Sequence, residues 1–404
     1  MQVCVLGAGI VGLATAYELL QRGMQVTVID QGAPGTGASG GNGAQLSYSY
    51  VQPLADASIW RQLPKLLLSP QSPLKLRPEW DAHQWRWGIE FLRACNQHTS
   101  ERSTERLLAL AALSRHHFEA MLQAEHIDCD FSATGKLVLY DTAAGLQAAR
   151  RQMELQRTWG SSQEAVSAER CADIEPALQH YQQHIAGAIY TPSECAADCL
   201  KVCRGLQDLL TARGVRFILG AHITGFVREG ARIVAARTRM GDVHADQFVL
   251  ALGSHSHDAA RTLGFRLPVY PLKGYSITLD TAQAPGTAPQ VNVTDAARKV
   301  VFARIGQRLR VAGMAELVGH NHHIPPERIQ SLLDAAQAVF PGCTASDDVH
   351  PWSGMRPATP TGVPLVGRHA AAPHNLLLNT GHGALGFTLA FGTAAQVAEL
   401  LAPA

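Results

Sequence analysis

Val3-Cys4-Val5-Leu6 opens the chain with a short apolar run suited to a buried strand. Glycines follow at 7, 9 and 12, and apolar residues then fill a helical segment from Leu13 to Gln21. Gly23 supplies a stop, and Met24 to Ile29 forms a second apolar strand that ends at Asp30. The pattern then lapses, because six glycines between Gly32 and Gly43 oppose both helix and strand. Regular spacing returns at Ser103–His126 (helical), Gly135–Tyr140 (strand) and Ala143–Trp159, an amphipathic helix whose charges form a solvated face. Cys195, Cys199 and Cys203 recur every four residues, which predicts one face of a helix shared with Leu200. Val215–Leu219 reads as a strand, three alternating segments run through Asp246, and Gln247 to Leu252 is a strand closed by Gly253. Tyr270 to Leu279 alternates, so Lys273 and Tyr275 share a face. Leu389 to Leu401 is predicted as the closing helix.

The length of 404 residues and 46% hydrophobic content suit about two domains with sizeable cores. The 34 basic and 33 acidic residues nearly cancel, so nothing in the charge balance calls for nucleic acid. Eight scattered cysteines without a Cys-x-x-Cys pair, and a strand that starts at residue 3 with no leader before it, point to the cytoplasm. No apolar run approaches the roughly 20 residues of a membrane span, which leaves peripheral association as the membrane option. No metal is expected. Thiols one turn apart on a single helix do not complete a tetrahedron, and His320, His322 and His323 read as a surface loop.

The glycine positions carry the first chemistry. In Gly7-Ala8-Gly9-Ile10-Val11-Gly12, Gly7 permits the tight turn, Gly9 lets a pyrophosphate approach the backbone, and Gly12 lets helix and strand pack closely. The helix N-terminus offers free N–H groups to phosphate, and Asp30 is spaced to accept a ribose hydroxyl. A second glycine turn before a helix, Thr380-Gly381-His382-Gly383-Ala384-Leu385-Gly386-Phe387-Thr388, is another anion site. A nicotinamide enzyme has no evident need of the second site. A flavin does, because negative charge develops at its N1–C2=O edge on reduction.

With that fingerprint, the loop Ser39-Gly40-Gly41-Asn42-Gly43-Ala44, the segment Pro271-Leu272-Lys273-Gly274-Tyr275-Ser276, the segment His350-Pro351-Trp352-Ser353-Gly354-Met355-Arg356-Pro357 and Asn379-Thr380-Gly381-His382-Gly383, the chain resembles the flavoproteins related to D-amino acid oxidase. Within them it is most similar to the bacterial D-amino acid dehydrogenase branch of small-subunit type, from residue 1 to about residue 400. The resemblance implies an α/β fold: a Rossmann-like FAD-binding domain (1–55, 191–265 and 345–404) with an interleaved α+β substrate domain (56–190 and 266–344) on a mixed or antiparallel sheet. It implies non-covalent FAD held by Gly7, Gly9, Ile10, Val11, Gly12, Asp30 and Gln31, then by Ser39, Asn42, Gly43, Ala44 and Gln45. Ile223, Gly253, Arg356, Gly381, His382, Gly383, Leu385, Gly386 and Thr388 complete that set.

Arg356 is the expected grip on an amino acid carboxylate, because a guanidinium forms two parallel hydrogen bonds that a lysine cannot reproduce. Arg304 and Arg310 are candidate assistants. The resemblance gives Tyr275 a share of the carboxylate, while Lys273 either tunes flavin charge or sits exposed on a strand edge. Tyr48 and Tyr50 either point hydroxyls at the substrate or pack as ordinary aromatics, and His382 either touches the flavin or caps a helix. Hydride transfer from Cα to flavin N5 needs no side-chain acid or base, and the imino acid then hydrolyses to a 2-oxo acid and ammonia. The resemblance also implies a respiratory quinone as electron acceptor. Oxidation of glycine, sarcosine or hydroxyproline-like secondary amines, in a chain that is one subunit of a complex, is the alternative. Trp60, Trp80, Trp85 and Trp87 cluster with Leu63–Leu68 as a core wall or lid, or as a patch facing quinone or the inner face of the cytoplasmic membrane.

Overall fold

The computed structural model describes residues 1–57, 59–60, 74–282, 286–344 and 348–402. The Leu63–Leu68 run lies outside the described residues. The apolar strands Gln2–Leu6 and Gln25–Asp30 are central to a six-stranded sheet, in the order Leu365–Gly367, Leu376–Thr380, Gln247–Leu250, Gln2–Leu6, Gln25–Asp30, Arg216–Leu219. All pairings are parallel except the Leu365–Gly367 edge. Strand order reverses at Gln2–Leu6. That switch point, flanked by Gly7 and Gly253, is where open α/β sheets bind ligands.

Helix Ile10–Gln21 packs on Gly386–Leu401, which packs in turn on Gln97–Glu125. The second crossing is close: a Cβ on Gly392 would lie 2.6 Å from the Leu110 carbonyl oxygen. Being covered on two sides, Gly386–Leu401 is apolar nearly all round, and together with the turn before it (Gly383–Leu401) it is long and hydrophobic enough to pass for a membrane span, yet largely buried within the protein. It is the exception to the expectation that no apolar run approaches that length.

The second large sheet runs in the order Val349–Ala358, Tyr270–Asp280, Arg308–Leu317, Val300–Ile305, Asn292–Asp295, Lys136–Tyr140, Gly187–Thr191, Glu164–Val166, with Leu74–Leu76 beside Arg308–Leu317. It is mixed, since Asn292–Asp295 and Lys136–Tyr140 pair in parallel and most other neighbours are antiparallel. On one face Ile277, Leu279, Leu309 and Val311 bury against Leu332, Ala335, Ala336 and Val339 of helix Pro326–Val339. The other face is crossed by the glycine-rich loop. Gly41 lies against Trp352 and its carbonyl accepts from Ser276 Oγ at 2.7 Å. The Asn42 carbonyl accepts from Arg310 Nη1 at 2.8 Å, and a Cβ on Gly43 would meet Val301. Gln45 Nε2 donates to the carbonyls of Val293 (3.2 Å) and Phe302 (3.0 Å), and Ser47 Oγ accepts from Lys136 Nζ at 2.8 Å. The loop thus steps across the sheet strand by strand, and small residues let it lie flat there.

Three expectations are corrected. Val349–Ala358 belongs to the large sheet and not to the nucleotide layer, because it pairs with Tyr270–Asp280 along its whole length. Helix Gln97–Glu125, expected in the substrate domain, buries Leu107, Ala111 and Phe118 in the core of the nucleotide layer. Cys195 is not helical: Cys195–Ala196 pairs with Gln45–Leu46, and the helix starts at Cys199 behind the Asp198 cap. All eight cysteines are buried.

Candidate functional site

The first glycine turn is built from backbone packing. Gly7 has φ +111°, and a Cβ there would run into the Ala251 carbonyl. A Cβ on Gly12 would run into the carbonyl of Gly7. At Gly9 the nearest neighbour of such a Cβ is Ser39 Oγ at 3.5 Å, so the surface above it stays open. Ser39 Oγ also accepts from the Ile10 N–H at 3.0 Å, and helix Ile10–Gln21 has no side-chain cap at Gly9. The remaining N–H groups of that first helical turn, from Val11 on, need an acceptor.

Asp30 has a role that its spacing did not reveal. Its carboxylate accepts from the N–H of Ala8 (2.7 Å) and of Gly32 (2.8 Å), so it clamps the glycine turn to the start of the next loop. An ionised carboxylate keeps lone pairs for a further donor after two such bonds. Beyond it, Ala221 N–H donates to the Asp30 carbonyl at 2.9 Å and His222 meets Gln31 Oε1 at 3.1 Å. Ile223 follows as the first residue of strand Ile223–Glu229. Asp30, Gln31 and the 221–223 backbone therefore form one side of the crevice.

The C-terminal turn repeats the arrangement. Gly381 and Gly383 have φ of +83° and +55°, helix Gly386–Leu401 has no side-chain cap, and a Cβ on Gly383 or Gly253 would meet nothing within 4 Å. The two turns are tied together: Thr380 Oγ1 donates to the Gly253 carbonyl at 3.2 Å. Thr388 Oγ1 accepts from the Ser47 N–H at 3.2 Å, which joins the end of the crossing loop to the same helix. Uncapped helix N-termini facing open glycine turns suit a dinucleotide with a second anionic edge.

Arg356 sits beside this turn. Its strand packs on Gly253–His255 and Gly383–Leu385, and Ala358 bridges to His382, two residues or roughly 7 Å along the strand from Arg356. The guanidinium lies over Gly274 on the neighbouring strand, where a Cβ would collide with it. Nη1 donates to the Met314 carbonyl at 2.6 Å. Met314 has φ +64° at a bulge where the pairing with Tyr270–Asp280 shifts, and that conformation turns the carbonyl toward the arginine. Among the described residues no carboxylate lies within ion-pair distance of Arg356. Burial without a counter-ion pulls its pKa down to about 10, so it stays charged near neutrality.

Strand alternation separates the other candidates from it. Leu272, Gly274 and Ser276 share a face with Arg356, Gly354 and Trp352, whereas Lys273 and Tyr275 face the opposite way. Tyr275 Oη donates to Glu316 Oε2 at 2.6 Å, and Glu316 pairs with Arg328. Burial, then Glu316, raises the Tyr275 pKa. Lys273 is neither edge-exposed nor at the glycine turns: its Nζ donates to the His323 carbonyl and burial lowers its pKa. The structure therefore does not bring Tyr275 or Lys273 to Arg356.

His382 contributes backbone to the turn while its ring points into the helix layer, with Nε2 3.0 Å from Thr393 Oγ1. Burial holds its pKa near 3 and the imidazole neutral. Arg310 gives Nη1 to the Asn42 carbonyl while its Nε is buried without a hydrogen-bond partner among the described residues, and Arg304 Nε donates to the Gly306 carbonyl at 3.1 Å. At the far end of the crossing loop, the N–H groups of Tyr48 (2.7 Å) and Ser49 (2.6 Å) donate to the buried Glu194. Tyr48 Oη is buried without a hydrogen-bond partner among the described residues, and the Tyr50 ring lies 4.4 Å from Lys136 Nζ. Burial lowers the Lys136 pKa to about 8 and raises that of Glu194. Neither Lys136 nor Glu194 was anticipated; a lysine inside the apolar strand Lys136–Tyr140 was the available signal. Trp87 is core, its Nε1 donating to the Ala358 carbonyl at 2.8 Å, whereas Trp60, Trp80 and Trp85 are exposed together with Ile89.

Residues 2–400 match the protein family described as FAD dependent oxidoreductase. The chain is 47% identical to D-amino acid dehydrogenase 2 of Ralstonia nicotianae, with 100% of this chain and 96% of that protein covered. It is 42% identical to D-amino acid dehydrogenase 2 of Pseudomonas aeruginosa, covering 98% and 94% of the two chains. The crystal structure of glycine oxidase from Geobacillus kaustophilus superposes with a TM-score of 0.78 over 99% of this chain and 94% of that one, at 20% identity.

Proposed function

Because the chain belongs to the family of FAD-dependent oxidoreductases, we propose that it is a D-amino acid dehydrogenase that yields a 2-oxo acid and ammonia. The observation that carries this reading is Arg356, a guanidinium beside the Gly381–Gly383 turn with no carboxylate partner among the described residues. It grips the substrate carboxylate through the donors that the Met314 carbonyl leaves free, and Gly274 provides the room. The first glycine turn and Asp30 hold the adenosine diphosphate half of FAD, and the Gly381–Gly386 turn holds the flavin edge. Bound FAD supplies a two-electron acceptor for the hydrogen on the substrate Cα.

The protein's own contribution is positioning. Arg356 fixes the carboxylate and thereby the orientation of Cα, and the surrounding sheet excludes water. No side-chain base is needed, since the amine enters neutral and the imino acid hydrolyses after release. Preference for the D-enantiomer follows the names of the relatives. The electrons pass to a quinone, and the exposed Trp80, Trp85 and Ile89 support peripheral attachment to the inner face of the cytoplasmic membrane. Anaerobic mixing of the FAD-loaded protein with a panel of D- and L-amino acids, glycine and sarcosine tests this. Bleaching of the visible flavin band by D-amino acids is expected, with fast reoxidation by a soluble quinone and slow reoxidation by oxygen. Bleaching by glycine or sarcosine alone would replace the reading with oxidation of glycine, sarcosine or similar secondary amines.

A further inference from the structure

Outside the substrate site, three side chains from separate elements converge at the solvent edge of the two sheets. His255 ends the short turn Gly253–His255, Asp258 stands one helical turn later in Ser256–Thr262, and His320 lies just beyond the strand Arg308–Leu317. One ligand-capable atom from each lies within 4.8 Å of the others. His255 Nδ1 is 3.7 Å from Asp258 Oδ2, and the His255 and His320 rings are 4.3 Å apart between centroids.

We propose that His255, Asp258 and His320 bind one divalent transition metal ion of the zinc class and so tie the 318–325 segment to the nucleotide layer. An ordinary ion pair accounts for His255 and Asp258 but not for His320, whose Nδ1 is buried with no hydrogen-bond partner among the described residues. Two imidazoles and one carboxylate favour Zn²⁺, Ni²⁺ or Cu²⁺ over Mg²⁺ or Ca²⁺, which prefer all-oxygen sets. Metal–ligand bonds of about 2.0–2.2 Å require the three atoms to close by roughly 1 Å, within reach of the exposed His255 and Asp258 side chains, and leave a position for water. His320, expected in a surface loop with His322 and His323, stands beside His255 and Asp258 from another element.

The consequence would be structural. The 318–325 segment carries the His323 carbonyl that holds Lys273, and it continues the strand whose Met314 carbonyl orients Arg356. An ion here braces that strand from outside, where it does not touch the substrate.

The test is calorimetric titration of Zn²⁺ into chelator-treated, FAD-loaded protein free of any affinity tag, paired with thermal melting. The expected result is one equivalent bound at micromolar or tighter affinity, with a rise in melting midpoint. His320→Ala and the surface variant Asp258→Asn should each weaken binding at least tenfold and abolish the rise, with FAD content unchanged. His322→Ala should leave both intact. Absence of saturable binding, or equal affinity in the parent and in Asp258→Asn, overturns the proposal.

Discussion

The two faces of the paired strands Tyr270–Asp280 and Val349–Ala358 make a direct contrast. On one, Tyr275, Glu316 and Arg328 form a closed network, and Lys273 has found a backbone carbonyl. On the other, Arg356 holds one carbonyl, has no carboxylate partner among the described residues, and lies over a glycine whose missing side chain makes room for the guanidinium. Both faces carry residues suited to binding a carboxylate. Only one carries a buried cation with no carboxylate beside it among the described residues, and a buried charge without its counter-ion is tolerated where a ligand completes it.

The sharpest way to break the contrast is to remove the open charge. Arg356→Ala is expected to cost about 2–5 kcal/mol of substrate binding, roughly 30-fold to several thousandfold in kcat/KM, with FAD still bound. Steady-state kinetics beside flavin absorbance checks this, and Arg356→Lys should restore only a small part because the paired geometry is lost. Unchanged kinetics would refute the assignment. A second test fills the space instead: Gly274→Ala puts a methyl group where the guanidinium lies and should raise KM about 10- to 100-fold while the melting midpoint moves little. A KM unaffected by that methyl group would mean that the seat of the guanidinium over Gly274 does not serve the substrate.

Polar groups spent internally should instead affect stability. His382 titrates at 6.5 when unfolded and near 3 when folded. The folded state therefore binds fewer protons between those values, and stability is lost as pH falls from 6.5 towards 3, by at most about 1.4 kcal/mol per pH unit. Denaturant melts across that range should show a flatter acid limb in His382→Gln than in the parent, with unchanged kcat/KM at neutral pH. The smallest effect belongs to Tyr275→Phe, which removes one donor from Glu316 but leaves Arg328 in place. It should cost about 1 kcal/mol of stability and change kcat/KM less than about threefold. A large rise in KM would return Tyr275 to the substrate site.

Much of the nucleotide half was legible because its chemistry is local. Gly7, Gly9, Gly12 and Asp30 occupy one strand–turn–helix–strand unit, and their spacing states the geometry directly. The Arg356 segment was also conspicuous, since its neighbours in sequence are its neighbours in space. The rest depends on pairing between distant strands. Alternation put Tyr275 and Lys273 on one face, but could not say that Arg356, arriving on another strand opposite Leu272, would take the other. Nor could it place Met314, whose left-handed backbone conformation follows from a bulge, or bring Glu194 under Tyr48 and Ser49. The same reason applies to one element of the expected domain limits: Val349–Ala358 is placed by its partner strand rather than by its own composition.

The crossing loop also bears on how the enzyme can move. Gln45 clamps the carbonyls of Val293 and Phe302, Arg310 grips Asn42, and Lys136 fastens Ser47, so the first stretch of chain to pass from one sheet to the other is riveted at intervals along its length. A hinge needs a few residues free to change their backbone angles, and this strap offers none between Gly41 and Ser47 without breaking those fastenings. Opening for substrate and product is therefore a task for segments outside this strap, while the two halves swing little as rigid bodies.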